Sequence, residues 1–271
     1  MHALAIRDLI NVHFSETLDV IGFYQEEPLL EVGSAVELTS ALHGMSTQHI
    51  DRLRLSNKPN EPHAIVASLH DLPGKPLRIT LQTLDFSHIC ALRETGMRPA
   101  ILSASAVLVC QDTEELIVHH RAPDVATHPN CLHIFGGAFN PVLDISANHA
   151  SLKLTIQREL HEETGLQLSL PDTSQLILTR EKTSGFIQLC MLGVPVRAAQ
   201  LRDLQNNWEG RIYRVAFSEL AELLTEPNWV ASGKAHILSW LALGAPHTEP
   251  SQKFGPYSAR QLFELLIRVH Q

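Results

Sequence analysis

The sequence predicts an α/β layered fold, on three observations. From Ala100 onward, apolar runs of strand length alternate with amphipathic stretches of helical length, the pattern that builds helices packed on a sheet. Hydrophobic residues make up 44% of the 271-residue chain and charged residues only 18%, which supplies a real core and excludes disorder as a class. A long helix reads from about residue 148 to 164 and is closed by Gly165, the residue type that ends helices in a left-handed conformation. A length of 271 residues exceeds an average domain, so one large or two modest domains are expected.

Taken in order, residues 19–23, 64–69 and 77–81 read as strands, the last with the period of two that a half-buried strand shows. Residues 34–43 read as a helix capped by Ser34. The segment 56–62 is a loop rich in turn formers, and 72–76 is a hairpin connection. Residues 85–94 read as a short helix, and 96–99 then break the chain. A boundary placed there separates an α+β N-terminal unit, 1–98, from a main domain, 99–271. In the main domain, 101–110 and 116–120 read as strands joined by the polar turn 111–115. After the loop 122–130, residues 131–135 form a short strand running into Gly136 and Gly137. Strands are expected at 186–196 and 211–217, and helices at 219–224, 233–243 and 258–269. The last carries Leu262, Leu265, Leu266 and Val269 at helical spacing and reads as a docking helix.

The chain has 21 Lys and Arg against 29 Asp and Glu, a net charge of −8, with no basic run. That argues against nucleic-acid binding by charge, and an anionic substrate would need local positive charge or a metal ion. Cys90, Cys110, Cys131 and Cys190 are scattered without a C-x-x-C pair, as expected of thiols in a reduced cytoplasm. Residues 1–16 lack the pattern of a secretory signal, and no apolar stretch approaches the ~20 residues of a membrane span. The expectation is a cytoplasmic protein without a membrane partner.

The segment from Arg158 to Leu166 carries the most chemistry. On a helix, Glu159, Glu162 and Glu163 share one side, where like charges repel and also oppose the negative end of the helix dipole. A divalent cation would relieve both, and Arg158 can hold one carboxylate through paired hydrogen bonds. Leu152, Ile156 and Leu160 would anchor the opposite face in the core. Spacing alone leaves a solvated acidic face equally open.

The run Arg158-Glu159-Leu160-His161-Glu162-Glu163-Thr164-Gly165-Leu166 resembles, at each fixed position, the second half of the Nudix box, G-x5-E-x7-R-E-U-x-E-E-x-G-U with U apolar. Upstream, His133 to Gly137 resembles the strand and glycine pair that open the box. The resemblance covers roughly residues 100–245. The chain departs from the pattern in one place. Gly137 and Arg158 enclose 20 residues where the pattern has 13, and Ala150 stands where the first-half Glu belongs. Asp144, inside this insertion, is either a geometric substitute or an ordinary loop residue.

The resemblance implies a Nudix-type α/β/α sandwich with a smaller α+β N-terminal domain. It implies metal-dependent hydrolysis of a pyrophosphate bond in a nucleoside diphosphate linked to another group, with Mg²⁺ or Mn²⁺ as cofactor. Residue by residue, Glu162 and Glu163 become metal ligands, Glu159 a ligand or general base, and the Gly137 carbonyl a further ligand. Glu209, in a loop before a strand, is the candidate base from outside the box. Arg121 at a strand end, ahead of His119 and His120, would meet a phosphate, and Phe135 completes the nucleotide-binding candidates. Trp208 and Trp229 are base-stacking or core residues, and Trp240 is core. Subgroup markers are absent: Glu181 and Lys182 stand where the ADP-ribose group has Pro, and Thr183 and Ser184 where the dinucleoside-polyphosphate group has Tyr. The layout is loosely similar to UDP-sugar diphosphatases, which makes a nucleotide sugar the finer expectation. The alternative, motivated by Ala150, is a noncatalytic nucleotide-binding module. Residues 1–98 would complete the pocket, form a homodimer interface or cover a sheet edge.

Overall fold

The structure, a computed structural model, describes residues 2–36, 39–56, 59–125, 127–146, 149–172, 174–245 and 254–268. The chain begins with α1 (Ala3–His13), β1 (Leu18–Tyr24), β2 (Leu29–Ala35), α2 (Ser40–Leu55), β3 (Pro62–His70), β4 (Arg78–Asp85) and α3 (Phe86–Glu94). It continues with β5 (Leu102–Cys110), β6 (Glu115–Arg121), β7 (Leu132–His133), β8 (Phe135–Ala138), β9 (Ile145–Ser146), β10 (His149–Ala150) and α4 (Leu152–Thr164). The remainder is β11 (Leu176–Glu181), β12 (Ile187–Pro195), β13 (Gly210–Ala216), α5 (Leu220–Leu223), α6 (Ala231–Ser239) and α7 (Ala259–Arg268).

The main sheet runs β1-β11-β12-β5-β6-β13, with β7 beside β6 and β8 beside β5. Only β12 and β5 are parallel in it, Gln188 lying opposite Ser103. Alternation along β5 explains the layering. Ala104, Ala106 and Leu108 face α4 and bury with its Leu152, Ile156 and Leu160. Val107 and Val109 face the other way and bury with residues of α1, α6 and α7. The result is an α/β/α sandwich whose central strand is buried on both faces, as a doubly covered strand is.

Residues 1–98 do not stand apart from this sheet. β1 pairs antiparallel with β11, and Ile6 and Ile10 of α1, one helical turn apart, bury in the same core as Val107. That pairing crosses the division at residue 98 that the sequence suggested. β2, β3 and β4 make a separate three-stranded sheet, in the order β2-β4-β3. The helix expected at 34–43 gives way to two elements. Leu30 and Val32 pair in parallel with Ile79 and Leu81, which makes 29–35 a strand, and the helix begins only at Ser40. At the C-terminal end, α7 buries Leu262 and Leu266 but leaves Leu265 exposed, and Val269 lies outside the described residues. Trp240 is buried as expected. No helix among the described residues is long and apolar enough to cross a membrane.

Candidate active site at the glycine strand and the carboxylate helix

Two local features fix α4. Its first turn is capped from far away: the Glu27 carboxylate accepts hydrogen bonds from the Lys153 N–H (3.1 Å) and the Ser151 hydroxyl (2.9 Å). Its last turn ends at Gly165, which adopts φ 76° and donates its N–H to the His161 carbonyl. The acidic side of the helix then meets β8, where the two glycines do different work. Gly136 has φ 146° and passes so close to Ala104 and Ser105 that a side chain would strike backbone. A side chain on Gly137 would instead strike the Glu159 carboxylate.

The three acids of the helix sit at three depths. Glu163 is 2% exposed, and its Oε2 accepts the Gly136 N–H at 2.9 Å. Glu159 is 14% exposed and accepts from Arg158 at 2.7 Å. Glu162 is 55% exposed and accepts a longer bond from Arg158, at 3.3 Å. Burial, and then the charges of Glu159 and Glu209, push Glu163 well above the ordinary carboxylate range. Glu159 is raised to about 7 by burial, against the pull of Arg158 and with the push of Glu162 and Glu209. Glu209 is raised as well, by burial first.

The insertion supplies the partner that Ala150 lacks. Ala150 itself lies on β10, buried against Ile145 of β9. Asp144 is fully buried and takes Arg158 in two parallel bonds, Nε to Oδ1 at 2.8 Å and a terminal nitrogen to Oδ2 at 2.9 Å. Arg158 also donates to the Ala138 carbonyl at 3.0 Å. Asp144, in the turn before β9, is thus a buried partner of Arg158 supplied by the insertion.

A cavity of about 270 Å³ collects these groups. It is lined by Gly136, Gly137, Arg158, Glu159, Glu209 and Arg121, whose guanidinium is steadied by the Thr127 carbonyl at 3.1 Å. Phe135 is corrected: it is fully buried on the α4 side of the sheet and stacked on His119, so it contacts no ligand. His119 is also buried, with Nδ1 at 3.6 Å from Glu163 Oε1, and burial lowers it to about 4, so it stands neutral behind that carboxylate. Trp208 is exposed, and Trp229 donates to the Leu223 carbonyl.

Among the described residues, no three His, Cys, Asp or Glu side chains converge closely enough to form a finished metal site. The donor set nevertheless fits a divalent cation. Glu159 and Glu209 line one cavity, and the charges of both raise the proton affinity of the buried Glu163, so a hard cation with oxygen preference would relieve that repulsion.

Gly137→Ala is expected to push the Glu159 carboxylate, a movable side-chain end, out of place. Turnover should fall by roughly 10²-fold, the scale of an ångström's misplacement, with little loss of thermal stability. Gly136→Ala, which meets backbone and a φ of 146°, should instead lower the melting temperature markedly. Circular dichroism melts beside steady-state rates separate the two cases.

Sequence reasoning missed Glu181, which lines the far side of the cavity. Burial would raise its pKa, but hydrogen bonds from His128, Ser184 and Ser232 outweigh burial and bring it to about 2. A folded-state value below the unfolded one means stability that is present above about pH 4.5 and is lost as pH falls toward 2. At ~1.4 kcal/mol per unit, that is about 3 kcal/mol. Urea titrations at pH 7 and pH 3 should show that loss in the wild type and a flatter profile in Glu181→Gln. Ser184 is three residues away, but the Ser232 and His128 partners, 51 and 53 residues away, could not be read from the neighbouring sequence.

No family model matches the chain, and no curated protein matches it. Solved structures with a similar chain path include a MutT protein from Methanosarcina mazei, 19% identical, TM-score 0.40, covering 64% of this chain and 97% of that one. Another is the bifunctional NMN adenylyltransferase/ADP ribose pyrophosphatase of Francisella tularensis, 10% identical, TM-score 0.43, covering 58% of this chain and 46% of that one. A third is the dihydroneopterin triphosphate pyrophosphohydrolase of E. coli, 14% identical, TM-score 0.35, covering 51% and 93%. At such identities and scores the likeness is one of chain path alone, and any functional reading rests on the residues of the site.

Proposed function

We propose that the protein is a divalent-metal-dependent pyrophosphohydrolase acting on a nucleoside diphosphate linked to another group. The observation that carries this reading is the gathering of Glu159 and Glu209, with the buried Glu163 beside them, and of Arg158 and Arg121 about one cavity. A noncatalytic module would have no use for acids of raised proton affinity gathered at a ligand cavity.

Glu163, Glu159, Glu209 and Glu162, with the Gly137 carbonyl, would hold Mg²⁺ or Mn²⁺, which when bound polarises a phosphoryl oxygen and neutralises charge. Arg121 would pair with a phosphate and draw the anion into a protein of net charge −8. Arg158, fixed by Asp144, holds the Glu159 carboxylate facing the cavity, where it would take the proton of the attacking water. The water oxygen bonds to phosphorus, the bridging P–O bond breaks, and the second phosphate leaves with its electron pair. Two phosphate monoesters result. A nucleotide sugar remains the finer candidate, on the layout of the chain.

The test is hydrolysis of UDP-glucose, ADP-ribose, NADH, dinucleoside polyphosphates and nucleoside triphosphates, with Mg²⁺ or Mn²⁺ and with chelator. Turnover of at least one diphosphate-linked substrate, abolished by chelator, is expected. Nucleotide binding with no turnover of any of them overturns the hydrolase.

A further inference from the structure

The cavity has a second end, and it is built largely from the N-terminal region. His63 of β3 and Phe86 of α3 lie stacked, centroids 5.5 Å apart and planes inclined by 28°. One carbonyl holds both, since Glu61 O accepts the Phe86 N–H at 2.9 Å and stands 3.0 Å from His63 Nδ1. With that nitrogen donating, the other ring nitrogen is left as an acceptor. Phe186, from the turn between β11 and β12, lines the same end, and its ring is covered by the Arg93 guanidinium of α3 at 5.7 Å. Gln188, a polar side chain only 6% exposed, also lines the cavity. A side-chain amide at the wall of a cavity can both donate and accept.

These features share one ligand chemistry. Aromatic faces take a planar ring by stacking, and a cavity-lining amide with an imidazole acceptor takes the hydrogen-bonding edge of such a ring. The same cavity presents Arg121, Arg158, Glu159 and Glu209, the first two to phosphates. We propose that His63, Phe86, Phe186 and Gln188 form a subsite for the heteroaromatic base of the substrate, so that the N-terminal region sets which nucleotide is accepted. This deepens the hydrolase reading of the same cavity and rests on it for the substrate class. It also gives β3 and α3 a place in the site and not merely at a sheet edge.

The test compares binding of nucleoside 5′-monophosphates with binding of ribose 5-phosphate, by calorimetry on the full chain with Mg²⁺. The wild type should prefer at least one nucleotide over the base-less sugar by 10-fold or more. Phe86→Ala should weaken that nucleotide roughly 5- to 100-fold, the range for one lost stacking contact, and leave ribose 5-phosphate unchanged. Phe86→Tyr should keep the preference. Gln188→Leu should reduce it and alter the ranking of bases. Should Phe86→Ala fail to fold, Phe86→Leu removes the ring while filling the space, and the same loss is expected of it. Equal binding of nucleotide and sugar phosphate by the wild type overturns the subsite, as does a loss in the Phe86 variants that falls on both ligands alike. Hydrolysis of the substrate panel without base preference leaves the hydrolase standing and removes the subsite. Base preference that depends on Phe86, without any hydrolysis, does the reverse.

Discussion

Glu163→Gln is expected to lower kcat by about 10²- to 10³-fold or more, with the melting temperature held or raised. The two halves of that result have separate causes. A glutamine keeps the shape and retains a carbonyl oxygen to accept the Gly136 N–H, now made at 2.9 Å to the carboxylate. It loses the charge that a divalent cation needs. That same charge works against the fold, since burial and the neighbouring Glu159 and Glu209 disfavour the ionised form. His119, neutral behind it, adapts to either side chain. Rates measured at saturating Mg²⁺, beside melts at pH 7, check both halves. Undiminished turnover would remove Glu163 from the metal site, and a large drop in melting temperature would make its role structural.

What the sequence disclosed about this site follows the range of the interactions involved. Glu159, Glu162 and Glu163 were legible because helical spacing is local, and the structure adds only their depths, from 2% exposed to 55%. β5 and β6 were legible for the same reason, one as a long apolar run and both as a hairpin. β2 was not, because its strand character exists only in pairing with β4, about 49 residues on at Leu30 and Ile79. Nor could the capping of α4 by Glu27 be seen, at a separation of 126 residues. Phe135 was misjudged through a question of face. It stands next to the glycine pair in the chain, but strand alternation turns it toward α4 and away from the cavity. Asp144 could be noticed but not decided, because only three-dimensional proximity distinguishes a partner of Arg158 from a loop acid.

Asp144 therefore carries the other large effect. Asp144→Ala is expected to cost about 3–5 kcal/mol, because it leaves the partly buried Arg158 guanidinium without its two-bond partner. At roughly 2–4 °C per kcal/mol for a chain of this size, the melting temperature should fall by about 10 °C. The carboxylate does more than balance charge. Its Oδ2 also accepts the Asn140 N–H at 2.8 Å, and its carbonyl accepts the Ser151 N–H at 3.2 Å, one residue before α4. Asp144 thus ties the inserted segment to the start of the helix and to its arginine. Turnover should fall with stability, since Arg158 is what aims Glu159 at the cavity. Arg158→Met alone should also destabilise, by stranding Asp144. The double variant should be less damaged than the sum of the two, because neither member of the Asp144–Arg158 pair is then left stranded by loss of the other. Asp144→Asn, which keeps an acceptor for Asn140, should fall between wild type and Asp144→Ala. Strict additivity in the double-mutant cycle would mean that the pair does not act as a unit. The insertion would then be tolerated by the site without contributing to it.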